Sequence, residues 1–584
     1  MRIAVVQKCP SKVNFEQKLK LDNLEVFNLS STKVSRLLKR DVDLTIQTKQ
    51  EYESIQEHLE EGNPSYDESD LGFCPELYDY VILVGSEALK MFTKATAVTD
   101  YTGKIAPSKP EFDSTKFIAA ISPAVLAFKP ESLPVWNQTV ENVAQILLGD
   151  TREEQTGDYK GLTDVGEVTT YLLRILDDPG IPAIGLDSET SALACRDGYV
   201  LGLCLSHATG QGVYAAAEAF DEVNINLLQR VIDTYPIVLH NAKFDMHFLS
   251  YHFGLQFFGR EIHDTMVQHY ILDERQGTHG LKSLTMKYGT LGDYDRELDE
   301  FKKEYCREHK LTATEFSYDL IPWDIMVDYS ARDPAATLDL HFKFMPIIEK
   351  NPRLLGLYQD LMMPGLHFLT KMEDRGIPIS KPRLLAAKET LSAELDSLRE
   401  ELYSFEEVLK LELSQGTKFN PNSVPQLRKL LFDFAGLTPT GKLTGTGAIS
   451  TDAAVLKDLS AEHRLPGLIL EVRQKSKLIS TYIDKLIPAI DRDSKVRTGF
   501  NITTTTSGRL SSSGKFNMQQ LPRDNPIIKG CVLAPEGYVI VAADLTTAEI
   551  YFAAVLSGDK LMQQVFINMK NDPEKYPDLL QSPY

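Results

Sequence analysis

The residues best suited to chemistry are carboxylates in three short clusters. The first is Asp187-Ser188-Glu189, delivered by the apolar run Ala183-Ile184-Gly185-Leu186. Alternate side chains of a strand point to the same side, so Asp187 and Glu189 can both reach one metal ion. Spacing alone decides little, because Asp295-x-Glu297 shares it. The second cluster follows another apolar strand, Ile237-Val238-Leu239-His240, and reads Asn241-Ala242-Lys243-Phe244-Asp245. The third, Tyr329-Ser330-Ala331-Arg332-Asp333, lies in a helical segment and puts Tyr329 and Asp333 on one helix face. Cleaving a phosphodiester with water calls for an activated nucleophile and a shield for the charge of a phosphorane-like transition state. Two Mg2+ or Mn2+ ions supply both, and such hard cations take carboxylate oxygens.

The order Asp-x-Glu, Asn-x-x-Phe-Asp, Tyr-x-x-x-Asp resembles the proofreading 3′→5′ exonucleases of the ribonuclease-H-like fold, in the variant with a tyrosine. The resemblance implies that Asp187, Glu189, Asp245 and Asp333 hold the metals and that Tyr329 orients the attacking water. His240, His247, His263 and His279 fall in or beside the same motifs and read as structural histidines rather than ligands.

Beyond this region the similarity changes character. Met363-Pro364 followed by Met372-Glu373-Asp374-Arg375-Gly376-Ile377 resembles the segment that opens the family A DNA polymerase core. Phe419-Asn420-Pro421-Asn422-Ser423 resembles the family's thumb, and Ser507-Gly508-Arg509-Leu510-Ser511-Ser512 with Asn517-x-Gln519-x-x-Pro522 resembles its primer–template contact segment. The resemblance implies DNA contacts by Arg509, Asn517 and Gln519, with Lys515, Arg523 and Lys529 in the same basic stretch. Tyr538 to Glu549 resembles motif A: Asp544 would bind catalytic metal, and Glu549 would reject a 2′-hydroxyl on the incoming nucleotide. Leu545-Thr546-Thr547-Ala548 between those acids departs from the usual family residues and resembles the polymerases of large tailed phages. The fingers helix and the hairpin with the second palm aspartate have no counterpart after Asp544. The expectation is therefore a split polymerase, in which a second polypeptide supplies fingers and remaining palm to act on primer–template DNA and dNTPs. Val539 to Ala543, without a polar member, is expected to be a strand covered on both faces.

The elements that must position these residues suggest a multidomain α/β and α+β chain. Residues 1–150 read as an α/β domain, with a first strand at the start, Val81 to Val84 as another strand and a helix over 137–148. Pieces of it resemble uracil-DNA glycosylase-like domains without their catalytic residues, which suggests non-catalytic docking; a generic α/β domain fits equally. A polar linker is expected over Gly149 to Gly161. Residues 160–350 would form the exonuclease, with a hairpin signal at Asp197-Gly198. Residues 351–530 would form the thumb and DNA-contact region, with long helices over 354–376 and 381–411, and 531–584 a partial palm. Six scattered cysteines without Cys-x-x-Cys spacing fit a reducing compartment, expected from the phage resemblance to be the host cytoplasm. Net charge is −20, which opposes nucleic-acid binding as a whole. Its distribution does not: residues 51–80 hold ten acidic side chains and no Lys or Arg, while residues 464–531 hold twelve Lys/Arg against five Asp/Glu. DNA contact is thus expected on the latter stretch. Two rival readings are an exonuclease acting alone and a non-enzymatic DNA-binding or processivity factor. The intact acids at 187, 189, 245 and 333 oppose the second, and Asp544 with Glu549 the first.

Overall fold

The structure, a computed structural model, describes residues 2–7, 24–28, 46–47, 49–61, 63–65, 70–95, 97–112, 114–127, 129, 132–147, 157–289, 291, 294–444, 447–522, 525–544 and 548–572. These form two compact units: residues 1–376 with 497–520, and residues 377–496 with 521–584.

The first unit begins with a five-stranded sheet of β1 (Ile3–Gln7), β2 (Leu24–Asn28), β3 (Tyr80–Val84), β4 (Ile105–Ala106) and β5 (Lys116–Ala120). Its order is β2-β1-β3-β5-β4, parallel except for β4. Alternation along the strands sends Val81, Leu83, Phe117 and Ala119 against Phe73 and Phe92. The opposite face, with Val5, Ile82 and Ile118, packs on Trp136 and Val143 of the helix Leu133–Leu147, here α1.

A second sheet follows, built from β6 (Asp158–Leu162), β7 (Ile184–Thr190), β8 (Val200–Ser206), β9 (Gln211–Ala216), β10 (Ile237–Leu239) and β11 (Ile262–Asp264), in the order β11-β10-β7-β8-β9-β6. The linker expected up to Gly161 therefore gives way earlier, because β6 adds to the sheet edge beside β9. Asp197-Gly198 lies in the connection of the antiparallel pair β7–β8, which is a longer loop than a tight hairpin turn. Helices α2 (Val165–Leu176) and α3 (Glu222–Thr234) contribute Leu172, Ile175, Leu228 and Val231 to the core of this sheet. Next come α4 (Ala242–Phe253), α5 (Leu281–Tyr288), α6 (Trp323–Ser330) and α7 (Arg332–Glu349). The single helix expected through Tyr329 and Asp333 is interrupted at Ala331, where α6 hands over to α7. Two glycines permit this junction to lie on the sheet: a Cβ on Gly212 would stand 1.9 Å from the Ala331 carbonyl oxygen, and one on Gly185 would stand 2.3 Å from that of Pro334.

The helical segment expected over 354–376 is realised as Pro352–Gly356, a wide turn over Leu357–Met362, and α8 (Met363–Arg375). A hairpin of Gly499–Asn501 with Ser511–Ser513 completes the first unit.

In the second unit, α9 (Lys381–Ser404) and α10 (Glu406–Gln415) replace the one helix expected over 381–411. The chain is extended at Phe405 between them. Leu395, Leu402, Val408, Leu411, Leu468 and Val472 belong to a core that includes α11 (Arg464–Lys477). The strand expected over Val539 to Ala543 is not formed: Val539 is 82% and Val541 84% exposed. A strand exists through its ladder partners, and none lies beside this run among the described residues. Helices α12 (Ala548–Ser557) and α13 (Lys560–Asn571) follow.

Candidate functional site

Strand β7 carries Asp187 and Glu189 two residues apart, with Cys204 of β8 directly across from Asp187. One ligand atom from each of Asp187, Glu189 and Cys204 lies within 4.8 Å of the others. Asp245 enters from the first turn of α4, behind Asn241, which holds the left-handed conformation at φ 61°. Asparagine tolerates that region better than bulkier residues. The turn is fixed by the buried Asp264 carboxylate, which accepts from the backbone N–H groups of Asn241 (3.1 Å), Ala242 (2.8 Å) and Met266 (2.8 Å). Tyr329 and Asp333 arrive from either side of the α6–α7 junction, and both are buried.

Hydroxyls hold the carboxylates in place. Ser188 Oγ donates to Asp245 Oδ1 at 2.6 Å, and Ser330 Oγ donates to Glu189 Oε1 at 2.8 Å. The buried Tyr294 hydroxyl donates to Asp333. Burial pushes the Glu189 carboxyl up to about 8, with Asp333 adding to the rise and the Ser330 bond opposing it. Burial likewise raises Asp245 to about 7. Asp187 is raised well above the usual carboxylate range by burial and then by Asp245, Asp333 and Glu189. Burial also raises Asp333, against the pull of Lys282, Tyr294 and Tyr329. Buried carboxyl groups that resist ionising together suit a cation with oxygen ligands; of the four, Asp187 and Glu189 belong to the mutually close set with Cys204, and Asp245 and Asp333 act on Asp187 electrostatically.

Each of the four histidines expected to be structural has a hydrogen-bond partner, while the other ring nitrogen of His240 and of His279 is buried without one. His240 Nδ1 lies 2.9 Å from Thr265 Oγ1, His263 Nδ1 lies 3.0 Å from the Tyr358 hydroxyl, and His279 Nδ1 lies 2.8 Å from His269 Nδ1. His247, on α4, bridges Glu373 and Asp374 at 2.8 Å each. Glu373 also accepts from Lys243 and, at 2.6 Å, from the Phe500 N–H. The helix that carries Asp245 is thereby bound to α8 and to the hairpin strand Gly499–Asn501.

That hairpin gathers four of the residues expected to touch DNA. Arg509 is exposed in the connection, and Lys515 Nζ lies 2.7 Å from Asp197. Asn517 Oδ1 accepts from Ser512 Oγ and, at 3.0 Å, from the Gln519 N–H. Lys529 ends the short helix Pro526–Lys529 and belongs to the other unit. Arg523 lies outside the described residues. Asp544 and Glu549 are exposed in the second unit, just after the apolar run and in the first turn of α12.

Comparison with known proteins assigns both regions. Residues 163–349 match the 3′-5′ exonuclease family model, and residues 384–574 match that of DNA polymerase family A. The chain is 51% identical over 588 residues to the DNA polymerase of Escherichia phage T5, a match spanning 99% of this chain and 66% of that one. The chain belongs to the family A DNA polymerases. The DNA polymerase of Bacillus phage SP01 is 26% identical over 76% of this chain and 54% of its own length. The family fold is shared with the polymerase domain of Pol1 from M. smegmatis, whose structure holds DNA primer-template and dNTP. That likeness has a TM-score of 0.53 at 22% identity and covers 72% of this chain and 69% of that one. This chain thus spans 66% and 54% of the length of the two phage polymerases. No helix among the described residues of this family A polymerase chain is long and apolar enough to cross a membrane.

Several residues of the exonuclease region escape sequence reasoning. Ser188 and Ser330 sit inside the motifs and could have been found as the donors nearest the acids. Tyr294 and Cys204 obey no spacing relative to the motifs and reach the site only through the sheet and the α5–α6 region.

Proposed function

We propose that this chain is a phage DNA polymerase component that removes nucleotides from the 3′ end of DNA and contributes half of a polymerase site. The convergence of Asp187, Glu189, Asp245 and Asp333 beside Tyr329 carries the exonuclease reading. These four carboxylates would hold two divalent ions of the Mg2+ or Mn2+ kind, which when bound supply an activated water and charge neutralisation at the phosphoryl oxygens. Ser188, Ser330 and Tyr294 keep the carboxylates aimed inward without offering them a proton sink. The Tyr329 hydroxyl, whose ionisation burial and Asp333 oppose, stays protonated and orients the water. Arg509, Lys515, Asn517 and Gln519 would touch the backbone and minor groove of primer–template DNA, with Arg523 and Lys529 extending that contact.

In the polymerase half, Asp544 would bind catalytic metal and Glu549 would exclude ribonucleotides. One aspartate cannot hold two dications in register, so further polypeptide is needed for nucleotide incorporation. The exposed apolar run from Tyr538 to Val541, with Phe552, Val555 and Leu556 of α12, supports a large apolar covering. A separate subunit is one source of it. The phage T5 polymerase, in which the corresponding stretch lies within one longer polypeptide, favours the other: a continuation of the same chain. The purified chain should digest single-stranded DNA and extend no primer. Adding the remaining palm and fingers, in trans or as a fusion, should restore extension, and Asp544→Ala should then abolish extension and spare digestion. Robust incorporation by the chain alone would overturn this reading, and restoration by the fusion only would overturn the separate subunit.

A further inference from the structure

The pair Asp295-x-Glu297 shares the spacing of the catalytic acids but stands at the start of a helix, Arg296–His309, and not on a strand. Asp295 is nevertheless buried, and its carboxylate lies 2.9 Å from Lys282 Nζ. Lys282, in the first turn of α5, rests on Tyr329 with its ammonium 4.1 Å from the ring centroid. The same ammonium stands 5.5 Å from the Tyr294 ring, which stacks on Tyr329 with centroids 6.3 Å apart. Asp295, Lys282, Tyr294 and Tyr329 thus form one wall of the exonuclease centre.

We propose that Lys282, anchored by Asp295, is a positioning residue for 3′-end hydrolysis: it fixes the Tyr329 ring and places one positive charge beside the carboxylates. The inference rests on the exonuclease reading above. Charge makes the case physically. Two divalent ions balance four carboxylates, which leaves the scissile phosphodiester and a developing hydroxide without compensation. A nearby ammonium stabilises that growing negative charge. It also pins an aromatic face, since a cation over a ring is attracted to its electron-rich surface. Consistent with this placement, the Lys282 charge opposes the upward push on both Glu189 and Asp333.

The placement has a consequence that a purely structural lysine would not have. Lys282 repels the metals it stands beside, so its removal should strengthen metal binding while slowing the reaction. Asp295→Asn removes an anion and releases Lys282, so it should weaken metal binding and slow the reaction as well. The test uses the whole chain, with steady-state exonuclease kinetics on a 5′-labelled single strand and Mn2+ binding measured by titration calorimetry. Lys282→Met should lower kcat by about three- to thirtyfold, the range expected for one cation over an aromatic ring. Its KM should hold within about twofold, because no contact with the remote DNA is lost. Its Mn2+ dissociation constant should fall, that of Asp295→Asn should rise, and Lys282→Arg should restore both kcat and metal affinity towards wild type. An unchanged kcat in Lys282→Met, or Mn2+ binding weakened in both variants, would overturn the proposal. If the wild-type chain digests no DNA, the exonuclease reading falls, and the opposite Mn2+ shifts still decide the placement of Lys282.

Discussion

Replacing Glu189 with glutamine should make the metal-free protein more stable at pH 8 and leave its stability unchanged near pH 4. In the folded chain, burial and Asp333 raise the Glu189 carboxyl from its ordinary 4.5 to about 8. Between those values the folded state binds a proton that the unfolded state has released. Stability therefore falls as pH rises from about 4.5 to 8, and the fold bears the whole cost above that window. At about 1.4 kcal/mol per pH unit, a lone group would cost at most about 5 kcal/mol. Its neighbours Asp187, Asp245 and Asp333 share the repulsion, so removing one charge should recover about 1–3 kcal/mol. Glutamine preserves the acceptor for Ser330 Oγ, which stands 2.8 Å from Glu189 Oε1. For a region of this size the gain corresponds to about 3–10 °C in the melting of the exonuclease region. The assay is differential scanning calorimetry in EDTA at pH 4, 6 and 8, repeated at pH 8 with Mg2+. The metal should stabilise wild type more than the variant, because it balances the charge that glutamine removes. A variant no more stable than wild type at pH 8, or an equal gain at pH 4, would refute the view of these acids as a charge-strained cation site.

Tyr329→Phe should slow digestion by about 10- to 100-fold without abolishing it, since metal ions activate water without the hydroxyl. Gel analysis of single-turnover reactions would check this, and wild-type speed would remove Tyr329 from the chemistry. Charge reversal at Arg509 should weaken duplex binding and make its salt dependence shallower by about one unit of slope, whereas reversal at Lys90 should do neither, as measured by fluorescence anisotropy across a salt series. Glu373→Ala should destabilise the first unit by about 3–5 kcal/mol, because it leaves Lys243 and His247 buried without their shared acceptor, and urea unfolding would measure the loss.

The acids of the exonuclease were legible because period-two alternation in a strand and the ends of buried strands are local properties. Asp187, Glu189 and Asp245 announce themselves within a few residues of their apolar runs. Lys282 and Tyr294 do not, since only the packing of α5 and the following loop against α6 brings them to Asp333. The same limit explains the missed break at Ala331: the junction packs on Gly185 and Gly212, which lie on two different strands far away in sequence. The apolar run at Val539 to Ala543 shows the converse error. Its composition suits a covered strand, but strand formation is a property of pairs, and the described residues hold no neighbour for it. The role of Glu373 was hidden for another reason. It lies within a motif resembling a polymerase segment, yet its partners Lys243 and His247 flank an exonuclease acid.

The most direct measurement follows a 5′-labelled single strand incubated with the purified chain in Mg2+, beside the double variant Asp187→Ala with Glu189→Ala. Wild type should produce a ladder shortening from the 3′ end that EDTA stops. The double variant should produce none while keeping its circular dichroism and melting cooperativity, because it loses repelling charges rather than packing. Digestion by the folded double variant at the wild-type rate would contradict the account.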